Sequence, residues 1–211
     1  KVASLLLIIL REELMTGEKH QKVRRQVFPV LFMLVTVLIL AGPNNLVAQD
    51  ATSLAPFVPT PQEVVDRMLE LAEVSETDIV YDIGCGDGRI VITAAERYGA
   101  RGVGIDIDPQ RIAESRANAE RAGVSHLVEF IQQDALTVNV SDATVVTLYL
   151  LSSSNVKLRP ILTSQLKPGA RIVSHAFSMG NWEADHTERF EDASGTTRTL
   201  YLWKHDGTVR P

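Results

Sequence analysis

The feature that most constrains the fold of this chain is an alternation of short β-rich runs with segments of helical spacing. The β-rich runs predict strands at residues 79–83, 103–107, 128–132, 143–151 and 171–175. The spacing of apolar residues predicts helices after Pro61 and at 89–98, 109–122 and 155–166. Strands that alternate with helices are typical of an α/β fold with a doubly wound, Rossmann-like and mostly parallel sheet.

The end of the chain departs from this alternation. Residues 187–190 and 198–203 have the composition of strands, and no long helical segment separates them. Two such strands predict a hairpin at an antiparallel edge of the sheet. The sequence therefore predicts a seven-stranded sheet with an antiparallel C-terminal hairpin.

Charge is distributed unevenly along the 211 residues, whose net charge is −5. Residues 1–48 hold 6 basic and 3 acidic residues, which leaves 15 basic and 23 acidic residues in 49–211. The resulting net charge of −8 in 49–211 argues against a nucleic-acid substrate such as tRNA or DNA. It is compatible with a basic protein partner, as it is with the surface of an ordinary soluble domain.

Residues 1–48 form an N-terminal leader in which basic residues precede an apolar run at 27–41. This order, with Ala48 placed before a cleavage point, favours a secretory signal peptide. A membrane anchor is the alternative, although the 15 residues of the run fall short of the roughly 20 that span a bilayer. Either interpretation predicts a periplasmic or membrane-anchored domain, whereas a leader without function would leave the domain cytoplasmic.

The rest of the chain divides into a Pro-rich linker at 49–61 and one globular domain at 62–211. The 45% apolar content excludes an intrinsically disordered chain. The single cysteine, Cys85, excludes an intramolecular disulfide scaffold.

A glycine-rich loop follows the first predicted strand of the alternating region. Its glycines stand at 84, 86 and 88, where they allow close approach of a ligand to the backbone. A dinucleotide loop has the spacing G-x-G-x-x-G, whereas this loop reads G-x-G-x-G and continues with Arg89. Asp82 precedes the loop and can receive a cationic amine. A ligand with an ammonium group and no phosphate, S-adenosylmethionine, fits this pattern better than a dinucleotide.

Two further carboxylates follow the next two strands. Asp106 ends the second strand, where a carboxylate can accept the hydroxyls of a ribose, and Asp134 ends the third, near an adenine amino group. Asp108 before Pro109 already suits the N-cap of the next helix, so Asp106 is not needed there. Cys85 is interpreted as a small residue beside the ligand, because no His–Asp pair surrounds it to activate a nucleophile.

These motifs resemble those of a known family. The segments DIGCGDG (82–88), GIDID (104–108) and QQDA (132–135) are similar to the cofactor motifs of the class I, seven-β-strand methyltransferases, and the resemblance extends over residues 56–203. It implies S-adenosylmethionine as cofactor. The cofactor-binding residues it implies are Asp82, Gly84, Cys85, Gly86, Gly88, Asp106, Ile107, Asp134 and Ala135.

Four other segments resemble the small archaeal protein lysine methyltransferases and their mitochondrial relatives. They are PFVPTP (56–61), VVTLYLL (145–151), LKPGARIVSH (166–175) and the region of Trp182. This resemblance implies methyl transfer to accessible lysine side chains of proteins. A small-molecule methyltransferase of the same fold and a non-catalytic S-adenosylmethionine-binding protein are the alternatives.

Methyl transfer is an in-line displacement in which the enzyme mainly supplies proximity and alignment. Tyr149, at the carboxyl end of the fourth strand, is the catalytic candidate, with a core or rim aromatic as the alternative. Asn155 and His175 are candidates for binding the acceptor, although a helix N-cap and a structural histidine are the plainer interpretations. Phe57 and Thr60 are predicted to lie in a lid over the methionine end of the cofactor. No spacing of His, Cys, Asp or Glu predicts a metal site.

Overall fold

A computed structural model of the protein describes residues 54–211. The strands are β1 (Ile79–Ile83), β2 (Arg101–Asp106), β3 (Val128–Gln132), β4 (Val145–Leu148), β5 (Arg171–His175), β6 (His186–Glu191) and β7 (Thr197–Lys204). The α-helices are α1 (Gln62–Leu71), α2 (Arg89–Tyr98), α3 (Pro109–Ala122) and α4 (Ser152–Gln165), and a 3₁₀ turn spans Ala135–Thr137. The predicted signal peptide or anchor in residues 1–48 lies outside the described residues.

The seven strands form one sheet in the order β3-β2-β1-β4-β5-β7-β6. Strands β1 to β5 pair in parallel, whereas β7 pairs antiparallel with both β5 and β6. The predicted fold class is therefore confirmed, including the antiparallel C-terminal hairpin. The strand order reverses between β1 and β4, and ligands of such sheets bind at this switch point, beyond the carboxyl ends of the strands.

Apolar clusters cover both faces of the sheet, as a mostly parallel sheet requires. Helices α1, α2 and α3 supply the cluster on one face, with Met68, Val91 and Ile112 among its buried side chains. Helix α4 supplies the other cluster, which includes Leu158 and Leu162. All four residues of β4 are buried, because that strand lies in the interior of the sheet. No helix among residues 54–211 is long and apolar enough to cross a membrane.

The junction between β4 and α4 differs from the prediction. Strand β4 ends at Leu148 rather than at residue 151, and α4 begins at Ser152 rather than at Asn155. Leu151 has extended backbone and is the N-cap, and its carbonyl accepts from the N–H of Asn155. The interpretation of Asn155 as an N-cap is therefore wrong. The predicted caps of α3 are confirmed, since Asp108 accepts from the Gln110 N–H and Gly123 follows the last turn.

The predicted linker at 49–61 is described from residue 54. Residues 54–61 have no regular secondary structure, and α1 begins directly after Pro61. The hydroxyl of Ser154 donates to the Leu54 carbonyl at 2.6 Å, which attaches this segment to the start of α4. We call residues 54–60 the lid segment.

A buried ion pair closes the opposite, amino-terminal edge of the sheet. Asp78, just before β1, accepts hydrogen bonds from the Thr144 hydroxyl (2.7 Å) and the Ser75 N–H (2.8 Å), and it pairs with the guanidinium of Arg171 on β5. The same guanidinium donates to the carbonyl of Ala72 at the end of α1 at 2.6 Å. One carboxylate and one guanidinium thus connect α1, β1, β4 and β5.

We expect Arg171→Met to lower the free energy of unfolding by about 2–4 kcal/mol, because it leaves the buried Asp78 carboxylate without its cation. Adding Asp78→Asn should recover part of this loss, since the two groups interact directly. Urea unfolding of the two single variants and the double variant measures the coupling. Strictly additive effects of the two substitutions would contradict a direct ion pair between Asp78 and Arg171.

Candidate active site: a cofactor cleft at the carboxyl edge of the sheet

A cleft of about 220 Å³ opens at the carboxyl edge, where the strand order reverses. The β1–α2 loop, the ends of β2 and β3, the chain after β4 and the lid segment line this cleft. Its lining includes the predicted residues Phe57, Thr60, Asp82, Gly84, Cys85, Gly86, Asp106, Ile107, Asp134, Ala135 and Tyr149. The sheet therefore brings most of the predicted site residues to one place.

Asp82 is the most deeply buried carboxylate of the cleft, with 3% of its surface exposed. It lies on β1 opposite Gly104 of β2 and Thr147 of β4, and the Thr147 hydroxyl donates to its Oδ1 at 2.8 Å. Burial raises the pKa of Asp82 to about 7, although the hydrogen bond from Thr147 opposes the shift. A carboxyl group of this kind ionises fully only when a cation approaches it.

Asp106 holds the glycine-rich loop. Its Oδ2 accepts from the Gly86 N–H at 2.8 Å, and its Oδ1 accepts from the Asp108 N–H at 3.0 Å. Each carboxylate oxygen has a second lone pair, so Asp106 can still accept from a ligand hydroxyl. Asp134 similarly accepts from the Leu136 N–H at 2.9 Å and so caps the 3₁₀ turn beside Ala135.

Gly86 shows why a side chain is not tolerated at this point of the loop. Its φ of 53° lies in the left-handed region. A Cβ on Gly86 would also stand 2.4 Å from Cε2 of Phe57. The ring of Phe57 in the lid segment thus lies directly on the backbone of the cofactor loop.

Two arginines attach the lid segment to the rest of the cleft. Arg89, at the start of α2, donates to the Thr60 carbonyl at 2.7 Å and pairs with the Asp87 carboxylate. The guanidinium carbon of Arg111 lies 4.6 Å from the centre of the Phe57 ring, a cation–π contact. The lid segment is therefore fixed at both Thr60 and Phe57. Sequence reasoning placed Phe57 and Thr60 here but missed the roles of Arg89 and Arg111.

Gly88 is a predicted cofactor residue that lies outside the cleft lining. It precedes α2 with a φ of 80°, and a Cβ there would stand 2.7 Å from Cε1 of Phe130. Its part is to let α2 pack closely on the sheet. Cys85 does line the cleft, and burial raises the pKa of its thiol, which disfavours a nucleophilic thiolate.

The acceptor-side predictions are divided by the structure. Tyr149 lines the cleft, and its ring centre lies 4.1 Å from that of His175, which is 1% exposed beneath it. Burial lowers the pKa of His175 to about 4, so its imidazole is neutral at physiological pH. Asn155 is fully buried away from the cleft and donates to the Ser174 hydroxyl and the Phe177 carbonyl. The structure therefore brings only Tyr149 of these three to the cleft surface.

The residues present fit S-adenosylmethionine. A glycine floor, which a Cβ at Gly86 would obstruct, allows a ligand to approach the backbone. Carboxylates at the ends of three neighbouring strands suit an ammonium group, ribose hydroxyls and an adenine amino group. The nearby guanidinium of Arg89 is already bound to Asp87, so it does not offer a free site for a pyrophosphate.

Comparisons with known proteins agree with this fit. The family described as the ANTKMT methyltransferase domain matches residues 82–186. A protein-lysine N-methyltransferase of Saccharolobus islandicus (strain REY15A) is 46% identical over 149 residues, which make up 70% of this chain and 92% of that protein. A lysine N-methyltransferase of Xenopus laevis, whose name gives an ATP synthase component as its substrate, is 36% identical over 131 residues, 62% of this chain. The chain spans 57% of the length of that Xenopus protein.

Among solved structures, an RNA methyltransferase from Salinibacter ruber in complex with S-adenosyl-L-homocysteine is 57% identical to this chain. The TM-score is 0.68, and the match covers 72% of this chain and 97% of that one. The fold and the cleft are those of a class I, S-adenosylmethionine-dependent methyltransferase. Within that class, the chain belongs to the family of the ANTKMT methyltransferase domain and the Saccharolobus protein-lysine N-methyltransferase. The predicted cofactor and enzyme class are thereby confirmed.

We expect Asp82→Asn to stabilise the ligand-free protein at pH 8 by about 1–3 kcal/mol. The wild-type carboxyl has a folded-state pKa raised to about 7, so it lowers stability progressively as the pH rises from about 4 to 7. The variant lacks this ionisation and should lack that slope. It should also bind S-adenosylhomocysteine at least about tenfold more weakly, because the charge facing the ligand ammonium is gone.

Urea unfolding as a function of pH and binding calorimetry measure the two effects. Asp142→Asn, at an exposed position, controls for loss of a carboxylate elsewhere. A variant that is less stable than the wild type at pH 8 and retains its affinity would contradict the assignment of Asp82.

Proposed function

We propose that this methyltransferase transfers methyl groups to lysine ε-amines of protein substrates. The observation that carries the proposal is the 46% identity to a protein-lysine N-methyltransferase over 92% of that protein's length. The Xenopus relative, whose name also specifies a lysine acceptor, supports the same class of substrate.

The cleft offers a suitable path for such an acceptor. Apolar groups of the lid segment, among them Leu54, Pro56 and Val58, line the cleft together with Tyr149. The alkyl part of a lysine side chain can pack on such surfaces while its amino group advances. Removal from water lowers the pKa of an amine, so the same path favours the neutral form that can accept a methyl group.

The chain's own residues supply alignment in this reaction. Bound S-adenosylmethionine provides an electrophilic methyl group on a sulfonium centre. Asp82, Asp106 and Asp134 hold the cofactor's polar groups, and the lid segment excludes water. Tyr149 limits the position of the acceptor amine, and the neutral His175 behind it adds no positive charge to repel a lysine. Proximity and orientation of this kind can account for a large rate enhancement without a nucleophilic side chain.

RNA is the second candidate acceptor, because the Salinibacter protein at 57% identity is named an RNA methyltransferase. The charge of this chain disfavours it. Residues 54–211 hold 15 basic and 22 acidic residues, whereas proteins that bind nucleic acid neutralise phosphates with clusters of lysine and arginine. A net negative surface is better suited to a basic protein partner.

The acceptor is tested by incubating the purified protein with methyl-labelled S-adenosylmethionine and either total protein or total RNA from a bacterial extract. We expect label in the protein fraction, on lysine after acid hydrolysis and amino-acid analysis, and resistance of that label to ribonuclease. The Asp106→Ala variant, which loses a predicted cofactor ligand, is the control for background labelling. Label confined to RNA, or to metabolites of low molecular mass, would overturn the lysine proposal.

We expect Tyr149→Ala to lower kcat/KM for a lysine-containing protein substrate by about 10- to 100-fold, because the acceptor amine loses its positioning surface. The affinity for S-adenosylhomocysteine should change by less than about threefold, since the predicted cofactor contacts come from other strands. Initial rates and binding calorimetry separate the two effects. Tyr149→Phe keeps the ring stacked on His175 and shows whether the hydroxyl contributes. Equal losses in rate and cofactor affinity would place Tyr149 in the cofactor site instead.

A further inference from the structure

Thr147 is a buried polar residue in the middle of the sheet that the predicted cofactor site did not include. It lies on β4 directly opposite Asp82 of β1, and none of its surface is exposed. Its hydroxyl donates to Asp82 Oδ1 at 2.8 Å, and the carbonyl of Tyr81 is a second, more distant acceptor at 3.4 Å. Because the register of two parallel strands sets this contact, the position of the Asp82 carboxylate depends on β4.

The other groups around Asp82 oppose its ionisation. Asp106 from β2 and Asp87 from the β1–α2 loop are both negative, and the Cys85 thiol beside them is buried and neutral. The positive groups of the cleft are bound to other partners, since Arg89 pairs with Asp87, and Arg111 pairs with Glu114 while it lies over Phe57. The remaining titratable side chains that line the cleft are Asp108, Asp134 and Tyr149. Among the described residues, the Thr147 hydroxyl is the side-chain donor that stabilises the Asp82 carboxylate.

A hydroxyl can serve Asp82 in both protonation states. When the carboxylate is ionised, Thr147 donates its proton to Oδ1. When Asp82 is protonated, its own O–H can donate to the Thr147 oxygen, and the Thr147 proton can turn to the Tyr81 carbonyl. Either arrangement leaves no buried polar group unpaired in this part of the sheet, which a valine of similar shape could not achieve.

We propose that Thr147 is a positioning residue for cofactor binding, which holds one oxygen of Asp82 within the sheet and leaves the other for the ammonium group of the cofactor. Through this hydrogen bond, Thr147 sets the pH range in which the Asp82 carboxylate is available to a cation. Below that range, binding requires the Asp82 proton to leave to solvent as the carboxylate meets the ammonium group. The proposal depends on the cofactor site alone and is independent of the lysine acceptor proposed above.

The test measures the dissociation constant of S-adenosylhomocysteine by calorimetry between about pH 5.5 and 9, a range that brackets the ionisation of Asp82. For the wild type we expect a constant affinity above about pH 7 and a dissociation constant that rises about tenfold per pH unit below it. In Thr147→Val the break should move to higher pH by about one unit, because the carboxylate has lost its donor. The affinities of the two proteins should therefore differ by about tenfold at pH 6 and converge near pH 9.

Thr147→Ser keeps the hydroxyl and should restore the wild-type break. Thr163→Val is the matched control, because it removes a buried threonine hydroxyl from α4, where that hydroxyl donates to the Arg159 carbonyl. A second readout is the number of protons released on binding at pH 6.5, obtained from calorimetry in buffers of different ionisation enthalpy. It should be larger for Thr147→Val than for the wild type.

A purely structural role for Thr147 predicts a different result. It would weaken binding by the same factor at every pH, with an unchanged break and unchanged proton release, and that outcome would overturn the proposal. Thermal unfolding of each ligand-free variant identifies any that fails to fold. If Thr147→Val does not fold, Thr147→Ala replaces it in the same pH series.

Discussion

Asp82 ends β1 at the point where the strand order of the sheet reverses, and strands on both sides remove its carboxylate from water. An ionised carboxylate in such surroundings is costly unless a donor or a cation accompanies it. The protein supplies one hydroxyl from Thr147 and surrounds the site with further negative charge from Asp87 and Asp106. The missing positive charge is that of the ligand. The same burial that weakens the ligand-free sheet thus provides a specific preference for a cationic cofactor.

The lid segment depends on this arrangement without touching Asp82 through hydrogen bonds. Arg89 follows the glycine-rich loop in the chain, so its contact with the Thr60 carbonyl connects the lid segment to the loop that approaches the cofactor. The Phe57 ring lies on Gly86 in the same loop, between the loop backbone and the Arg111 guanidinium. A change in the loop on cofactor binding is therefore felt at once by the segment that borders the acceptor path.

The relatives of this chain share a fold and a cofactor but bear names that specify different acceptors. The Saccharolobus protein is named for lysine and the Salinibacter protein for RNA, at 46% and 57% identity. The physical reason is that the three carboxylates and the glycine-rich loop address only the cofactor. Acceptor choice depends on the surface around Tyr149 and the lid segment, and on the charge of the domain as a whole.

Much of the fold and of the cofactor cleft could be predicted from the sequence, because both depend on local patterns. The bounds of β1, α2 and α3 follow from runs of β-branched residues, from glycines and from the Asp108–Pro109 cap. Carboxylates that end successive parallel strands must meet at one edge, so Asp82, Asp106 and Asp134 could be placed together from chain order alone. The end of β4 and the start of α4 were less predictable, since the apolar run continues through Tyr149 to Leu151 after the strand has ended.

Only the tertiary structure decided which residues from distant parts of the chain meet. The contact between Thr147 and Asp82 spans 65 residues and depends on the register of two strands that are not consecutive. The contacts of Arg89 with Thr60 and of Arg111 with Phe57 likewise join elements whose sequences carry no signal of each other. His175 and Asn155 were separated from the cleft for the same reason, because packing around β5 and α4 buries their side chains elsewhere. The sequence by itself determined the class of fold and the cofactor it binds, since those follow from local pattern and strand order, whereas the polar contacts that tune the cleft arise only when the sheet is assembled.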